Sequence, residues 1–291
     1  MTEPKDPTDL VVDFHCHMAY YENVTDSYAR YLAQMAGMAY EDLVERFGSP
    51  EAFLRLLDEY GVDYAVILAE TSPISAGIST NEQVIEFCSG SDRLIPFGTV
   101  NPYLDHRPAR AVRDLAERGA IRGLKLYPNY QYFSPNDATL YPVYAVAEGL
   151  GLPIMFHTGS SILPGSRMKY ADPLLLDDVA VDFPDLVIIQ CHGGRPFWHD
   201  RSFVLCRLHE NVYIDVAGLP AHRLLRYFPE MERLAGKFLF GSDWPGVPRT
   251  IRQNVEAVRT LGLPEEAVRM VLGGNAAHIL ALPDGTGGSR R

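Results

Sequence analysis

Short apolar runs alternate with stretches of helical periodicity along almost the whole chain. Runs rich in β-branched and aromatic residues predict eight strands, at 10–15, 64–68, 94–100, 121–127, 153–157, 186–192, 212–216 and 238–243. Apolar positions that recur at helical spacing predict helices at 50–60, 80–88, 107–118, 140–150, 173–183 and 251–280. Near-continuous apolar strands are typical of a parallel sheet that helices cover on its faces.

Eight strand–helix units in about 240 residues match the number and size of a (β/α)8 TIM barrel. A doubly wound open sheet would also show the alternation, but it usually has fewer strands and a phosphate-binding glycine turn before a helix. The nearest glycine-rich turn, at 285–288, has no helix after it. We therefore predict an α/β fold with a single TIM-barrel domain over residues 10–283, a flexible N-terminus at 1–9 and a disordered tail at 284–291.

Two insertions interrupt this rhythm, and each follows a predicted strand. Residues 16–49 separate the first strand from its helix, are rich in tyrosine and have a helical pattern over 24–47. Residues 158–172, after the fifth strand, are rich in Gly, Ser and Pro. Segments that follow the strands of a barrel lie at its active-site face, and long loops there are more often lids or binding loops than solvated excursions. We predict a helical lid at 16–49.

Composition restricts the class of protein. The 291 residues are 47% apolar and 22% charged, which is ordinary for a globular protein and disfavours a disordered or coiled-coil chain. With 26 basic and 37 acidic residues the net charge is −11, which disfavours nucleic acids and anionic lipid surfaces as partners. The chain shows no CxxC pair, no bilayer-length apolar run and no export signal at its start. We expect a cytoplasmic protein without a nucleic-acid or membrane partner.

Side chains that commonly bind metals end several of the predicted strands. His15 and His17 end the first strand two residues apart, so both imidazoles share a face. His157 ends the fifth strand, and His192 and Asp243 end the sixth and the eighth. In a barrel all five side chains would converge at one rim. Three nitrogens and a carboxylate there can hold a divalent metal and leave a position open for water.

Other residues on the same strands could support the five candidate site residues or pack behind them. Asp13 and Asp215 are candidates to accept the second N–H of a metal-bound imidazole, and Asp13 shares the parity of the first-strand histidines. Cys16 and Cys191 have the opposite parity to their histidine neighbours, so we expect them to face the helices as packing residues. The chain contains neither a G-x-S-x-G elbow nor a phosphate-binding P-loop, which argues against a serine hydrolase of that type and against a P-loop enzyme.

Four motifs carry the candidate ligands: FHCH at 14–17, FHTGS at 156–160, CHGGRP at 191–196 and LFGSDWPGVP at 239–248. Together they resemble the amidohydrolase superfamily, specifically the amidohydrolase-2 group of metal-dependent TIM-barrel hydrolases and decarboxylases, which includes the aminocarboxymuconate semialdehyde decarboxylase-like enzymes. The resemblance covers residues 11–282. It implies that His15, His17, His157 and Asp243 bind one divalent metal, Zn²⁺ with Mn²⁺ as the alternative. It also implies that His192 is a catalytic histidine that polarises the substrate or moves a proton.

The resemblance leaves the reaction open between hydrolysis and decarboxylation. Decarboxylases of the group often have an aromatic or acidic continuation after the fifth-strand histidine, and some have glutamate at the first histidine. This chain has Thr158 after His157 and retains His15. Both departures favour a hydrolase in which a metal-activated water attacks an amide, lactone or related carbonyl. The substrate would be small and aromatic or carboxylated, and Asp243 would act as the base. Non-oxidative decarboxylation of an aromatic or conjugated acid is the alternative, and a barrel that binds metal or ligand without turnover is a third hypothesis.

Lys125 ends the fourth strand and has three interpretations. In binuclear members of the superfamily a lysine there is carboxylated and bridges two metals. In amidohydrolase-2 members, which are usually mononuclear, it would instead hold a substrate carboxylate. It could also be a structural lysine that points outwards. The expected partner of the protein is a small-molecule substrate, and a homo-oligomer is left open.

Overall fold

Ten strands form the framework of the computed structural model, which describes residues 9–283. The predictions for 1–8 and for the tail at 284–291 lie outside the described residues. The strands are β1 Val12–His17, β2 Tyr64–Leu68, β3 Glu70–Ser72, β4 Gly77–Ser79, β5 Leu94–Gly98, β6 Gly123–Leu126, β7 Ile154–His157, β8 Ile188–Cys191, β9 Val212–Asp215 and β10 Phe238–Leu239. Eight of them form one parallel sheet in the order β1-β2-β5-β6-β7-β8-β9-β10, and β3 pairs with β4 as an antiparallel hairpin.

Backbone hydrogen bonds between β1 and the segment after β10 bring the two edges of the sheet together. The N–H of Asp243 donates to the carbonyl of His15 at 2.9 Å, and the N–H of His17 donates to the carbonyl of Trp244 at 2.8 Å. The prediction of a TIM barrel is therefore confirmed. The same bonds hold the end of the first strand beside the segment that follows the last one, so His15 and Asp243 are neighbours.

Helices surround the barrel on its outside and at its mouth. Within the described residues they are α1 Asp26–Ala36, α2 Tyr40–Phe47, α3 Pro50–Tyr60, α4 Asn81–Cys88, α5 Pro108–Glu117, α6 Pro128–Gln131, α7 Tyr141–Gly149, α8 Asp177–Asp182, α9 His199–Leu208, α10 Leu224–Tyr227, α11 Ile251–Arg259, α12 Glu265–Arg269 and α13 Asn275–Leu280. Helix α3 has the predicted bounds because Ser49 caps its first turn, Pro50 starts it and Gly61 ends it with a φ of 70°.

The structure divides three predicted helices and adds a hairpin. The divided helices are those predicted at 24–47, 173–183 and 251–280. The first becomes α1 and α2 because Gly37 ends α1 in the left-handed conformation with a φ of 68°. In the last, Gly262 with a φ of 87° and Pro264 separate α11 from α12. The hairpin of β3 and β4 escapes prediction because strands of three residues are too short to show a pattern.

The alternation of side chains is broken on β1. Its pairing with β2 is irregular between Asp13 and Cys16. Phe14 packs inside the barrel on Phe97, with ring centroids 5.6 Å apart, and the next residue, His15, also points inwards and contacts Lys125. A bulge that re-aims a side chain in this way is common beside active sites. Cys16 packs in the outer layer as predicted.

Candidate metal centre

The carboxyl ends of the barrel strands open into a cavity of about 400 Å³, a volume suited to a small molecule. All the site residues predicted from the sequence line it, namely His15, His17, Lys125, His157, His192 and Asp243. The wall also contains Tyr28, Tyr31, Tyr127, Tyr130 and Tyr227. Tyr28 and Tyr31 belong to α1, so the inserted segment contributes to the site.

Hydrogen bonds to one ring nitrogen fix the orientation of three histidines. Nδ1 of His15 lies 2.5 Å from Oδ2 of Asp215, and Nδ1 of His17 lies 3.0 Å from the phenol oxygen of Tyr21. Nδ1 of His192 lies 2.8 Å from the carbonyl oxygen of Ala217. A carboxylate or a carbonyl accepts a hydrogen bond, so the proton is on Nδ1 of His15 and His192, and Nε2 carries the lone pair that a metal needs.

The carboxylate of Asp243 faces two groups of side chains. Its Oδ1 lies 3.5 Å from Nε2 of His15 and 3.6 Å from Nε2 of His17. Its Oδ2 lies 3.6 Å from Nη1 of Arg195 and 3.9 Å from Nδ1 of His192. One oxygen is therefore placed toward the two first-strand histidines, while the other faces a cation and the sixth-strand histidine.

Two of the site residues adopt a left-handed backbone conformation. The φ of His192 is 64° and that of Asp243 is 63°. Residues other than glycine pay about 1–3 kcal/mol for such a conformation, and they cluster at functional sites. At the end of β8 the left-handed conformation of His192 determines the direction of its own side chain. Cys191 points into the barrel, contrary to the prediction from parity, and the turn at His192 still directs the imidazole into the cavity.

Burial sets the protonation of the site. It lowers the pKa of His157 and of His192 well below the usual value, and nearby cations lower both further. Burial and then the charge of Lys125 lower the pKa of His15 to about 4. Burial alone would raise the pKa of Asp243, but His192, His17, His15 and Arg195 together hold it well below the usual value. At neutral pH these three histidines are uncharged and Asp243 is a carboxylate.

These donors fit a divalent metal. The ligand atoms of His15, His192 and Asp243 all lie within 4.8 Å of one another. Nε2 of His157 is buried and makes no hydrogen bond with any described residue, which is costly for a polar atom unless a ligand completes it. The ring centroids of His157 and His192 are 4.6 Å apart, so His157 belongs to the same group. Neutral imidazoles and one carboxylate suit Zn²⁺ or Mn²⁺.

Lys125 points inwards, so the outward structural interpretation is wrong. It is fully buried, and its Nζ lies 3.1 Å from Nε2 of His15 and 3.1 Å from Sγ of Cys191. The thiol of Cys191 therefore faces this lysine instead of the helices. Asp13 contacts no imidazole, because its Oδ1 accepts the backbone N–H of Ser242 at 2.8 Å and that of His15 at 3.2 Å.

Three residues of the site were not predicted from the sequence. Tyr21 contacts His17, Glu70 accepts the Tyr21 hydroxyl at 3.2 Å, and Arg195 reaches the carboxylate of Asp243. Tyr21 is one of several tyrosines in the insertion, and nothing in the sequence distinguishes it from the others. Glu70 and Arg195 each follow a barrel strand closely, which is the signal that could have found them.

Solved structures with this fold include proteins of different activity. An uncharacterised TIM-barrel protein from Bordetella bronchiseptica is 24% identical with a TM-score of 0.76, over 94% of this chain and 98% of its own. A dihydroxybenzoic acid decarboxylase from Polaromonas sp. JS666 with bound manganese is 16% identical with a TM-score of 0.69, over 94% and 97%. A probable 2-pyrone-4,6-dicarboxylic acid hydrolase from Acinetobacter baumannii is 16% identical with a TM-score of 0.64, over 93% and 99%.

At these identities the solved structures establish the fold alone. No curated protein matches the chain. Within residues 9–283 no helix is both long and apolar enough to cross a membrane. A model of the amidohydrolase family matches residues 12–282, which is nearly the whole chain. The protein belongs to this amidohydrolase family, whose members are metal-dependent enzymes.

Proposed function

We propose that the protein is a mononuclear metal-dependent hydrolase that acts on an amide, lactone or related carbonyl of a small substrate. The convergence of four histidines and Asp243 on one tyrosine-lined cavity supports this proposal. His15, His17, His157 and Asp243 would hold the metal, with His192 beside them. A divalent ion held there would polarise a carbonyl and lower the pKa of a bound water to about 7.

The two oxygens of Asp243 would have separate roles. Oδ1, which faces His15 and His17, would be the ligand atom, and Oδ2 would accept a proton from the attacking water and return it to the leaving group. The low pKa of this carboxyl keeps it ionised at neutral pH, as a metal ligand and a proton acceptor must be.

His192 would transfer a proton. Because its Nδ1–H is given to the Ala217 carbonyl and burial keeps the ring neutral, its Nε2 can accept a proton but has none to donate. Of the two roles left open by the resemblance, polarising the substrate and moving a proton, we therefore favour the second. Since Asp243 handles the proton of the attacking water, Nε2 of His192 would accept the proton that the newly formed carboxylic acid releases and pass it to solvent.

Decarboxylation of an aromatic or conjugated acid is the second candidate. It is favoured by a specific observation, the match in fold to a manganese-containing dihydroxybenzoic acid decarboxylase with 94% of this chain covered. The retained His15 and the Thr158-Gly159-Ser160 turn still favour hydrolysis. The products distinguish the two reactions, since a decarboxylase releases CO₂ and a hydrolase consumes water.

The test begins with the metal content of the purified protein, measured by elemental mass spectrometry. We expect about one Zn or Mn per chain, lost in His15→Ala and in Asp243→Asn. Asparagine tolerates a left-handed φ, so Asp243→Asn removes the charge with little disturbance of the backbone. The exposed Asp92→Asn is the matched control and should keep the metal. Two metals per chain would favour a carboxylated Lys125, and a protein that takes up no metal would contradict the proposal.

A panel of small amides, lactones and aromatic acids then tests the reaction, with acid release and CO₂ followed separately. Asp243→Asn should lose activity on every substrate that the wild-type protein turns over. Activity that survives both this substitution and removal of the metal would contradict the mechanism. A cytoplasmic location remains a prediction, consistent with four cysteines that are all free.

A further inference from the structure

We propose that Arg195 binds a carboxylate of the substrate that lies only a few bonds from the carbon that reacts. This inference rests on the proposed function and narrows its substrate class to small organic acids with a second, reacting carbonyl near the acid group. It also moves the role of carboxylate recognition from Lys125 to Arg195.

Arg195 presents its guanidinium to the candidate metal centre. The residue lines the cavity and its side chain is 25% exposed. Nη1 donates to the carbonyl of Gly218 at 3.1 Å and lies 3.6 Å from Oδ2 of Asp243. Among the described residues, the other guanidinium nitrogens have no hydrogen-bond partner. Several N–H donors of the fork are therefore available to a ligand.

The position of this guanidinium is fixed by its surroundings. The N–H of Arg195 donates to the carbonyl of His192 at 3.1 Å, and its own carbonyl accepts the N–H of Ser160 at 2.7 Å. Gly218 leaves the space that the side chain occupies, since a Cβ there would lie 1.9 Å from Nη1. A guanidinium held in place loses little conformational entropy when it binds a carboxylate, and the planar fork can bind both oxygens at once.

The other charged groups of the cavity are already engaged. Lys125 is fully buried against His15 and Cys191, and Glu70 accepts the hydroxyl of Tyr21. Of the two cationic side chains among the described lining residues, Lys125 and Arg195, it is therefore Arg195 that is exposed to the cavity. The protein carries a net charge of −11, so an anion that enters this cavity needs a local cation to offset the unfavourable field.

The geometry also limits where the carboxylate lies in the substrate. Oδ2 of Asp243, the atom assigned to proton transfer at the reacting carbon, is 3.6 Å from Nη1 of Arg195. A group bound by Arg195 is therefore close to that carbon. The tyrosine walls, in which the rings of Tyr127 and Tyr130 stack with centroids 6.0 Å apart, offer flat apolar surface for a planar substrate.

Titration calorimetry on the purified protein with three probes tests the inference. The probes are 2-carbamoylbenzoate, its para isomer 4-carbamoylbenzoate, and the neutral benzene-1,2-dicarboxamide. We expect the wild-type protein to bind the ortho acid about tenfold or more tighter than the other two. Arg195→Gln should lose that preference, Arg195→Lys should keep part of it, and the exposed Arg223→Gln should resemble the wild type.

Three outcomes would overturn the inference: no binding of the ortho acid at millimolar concentration, equal binding of the acid and the diamide by the wild type, or an unchanged preference in Arg195→Gln. Metal content, measured on the same samples, separates this failure from failure of the proposed function. A protein that holds its metal and hydrolyses a neutral amide, with no preference for acids, would refute the role of Arg195 and leave the hydrolase intact.

Discussion

The phenol oxygen of Tyr21 lies 3.0 Å from Nδ1 of His17, and the same hydroxyl donates to Oε2 of Glu70 at 3.2 Å. Because Tyr21 gives its own proton to Glu70, its oxygen is free to accept the N–H of His17. This leaves Nε2 of His17 without a proton and directed toward Asp243. The segment after β1 and the hairpin strand β3 thus act together to orient a candidate metal ligand.

Removal of this hydroxyl should weaken metal binding. We expect Tyr21→Phe to lower the affinity for a divalent metal by about 10- to 100-fold, the usual effect of losing a group that orients a ligand. Competition with a chelator of known affinity measures it. Tyr20→Phe is the matched control, because Tyr20 is the adjacent tyrosine and is exposed. Equal affinity in the two variants would show that Tyr21 does not orient His17.

Asp215 and Asp13 should differ sharply when each is replaced by asparagine. Asp215→Asn puts an N–H₂ group or a weaker acceptor opposite Nδ1 of His15, so the proton shifts toward Nε2 and metal affinity falls by at least about tenfold. Asp13→Asn keeps an oxygen for the two backbone donors, and burial already raises the pKa of Asp13 to about 6. The Asp13 variant should therefore bind metal as the wild type does. A larger loss in Asp13→Asn than in Asp215→Asn would contradict this assignment.

The strand–helix period and the ligand positions were predictable because both depend on local chemistry. Apolar runs fix where the strands lie, and the carboxyl ends of parallel strands meet at one rim, so His157 and Asp243 could be assigned to one site from the chain order alone. The direction of individual side chains was less predictable. A bulge on β1 and the left-handed turn at His192 override the alternation that misplaced Asp13 and Cys191.

The supporting residues depend on contacts between distant parts of the chain. Tyr21 is only four residues from His17, but Glu70, which accepts its hydroxyl, is 49 residues away on a hairpin too short to predict. Arg195 was visible in the CHGGRP motif, yet its partner Gly218 is 23 residues away, as the Nη1 contact shows. Such contacts are properties of the tertiary structure, which periodicity does not contain.

Gly123 should be essential to the barrel core. A Cβ at this position on β6 would lie 2.4 Å from the ring of Phe97, so Gly123→Ala overpacks the interior and should lower the free energy of unfolding by about 1–3 kcal/mol. Chemical denaturation measures this loss. Gly149→Ala is the matched control, since no atom lies within 4 Å of its Cβ at the end of α7, and it should be neutral or stabilising by up to about 1 kcal/mol. Equal stability of both variants would show that the interior adjusts to the added methyl group.

The burial of His157 should make the stability of the metal-free protein dependent on pH. Burial holds the pKa of His157 well below the usual value in the folded protein, whereas it is close to about 6.5 in the unfolded chain. Between these two pH values only the unfolded chain binds the proton. The stabilisation from the neutral ring is therefore complete above the higher of these two values and is lost as the pH falls. His157→Asn removes this contribution, so the difference in free energy of unfolding between wild type and variant should shift by up to about 2 kcal/mol between pH 7 and pH 5. The shift favours the variant at the lower pH.

Denaturant titrations at several pH values measure this shift, with the exposed His106→Asn as control. If the curves of wild type and His157→Asn run parallel, folding does not lower the pKa of His157, and the imidazole takes up a proton in the folded protein as readily as in the unfolded chain.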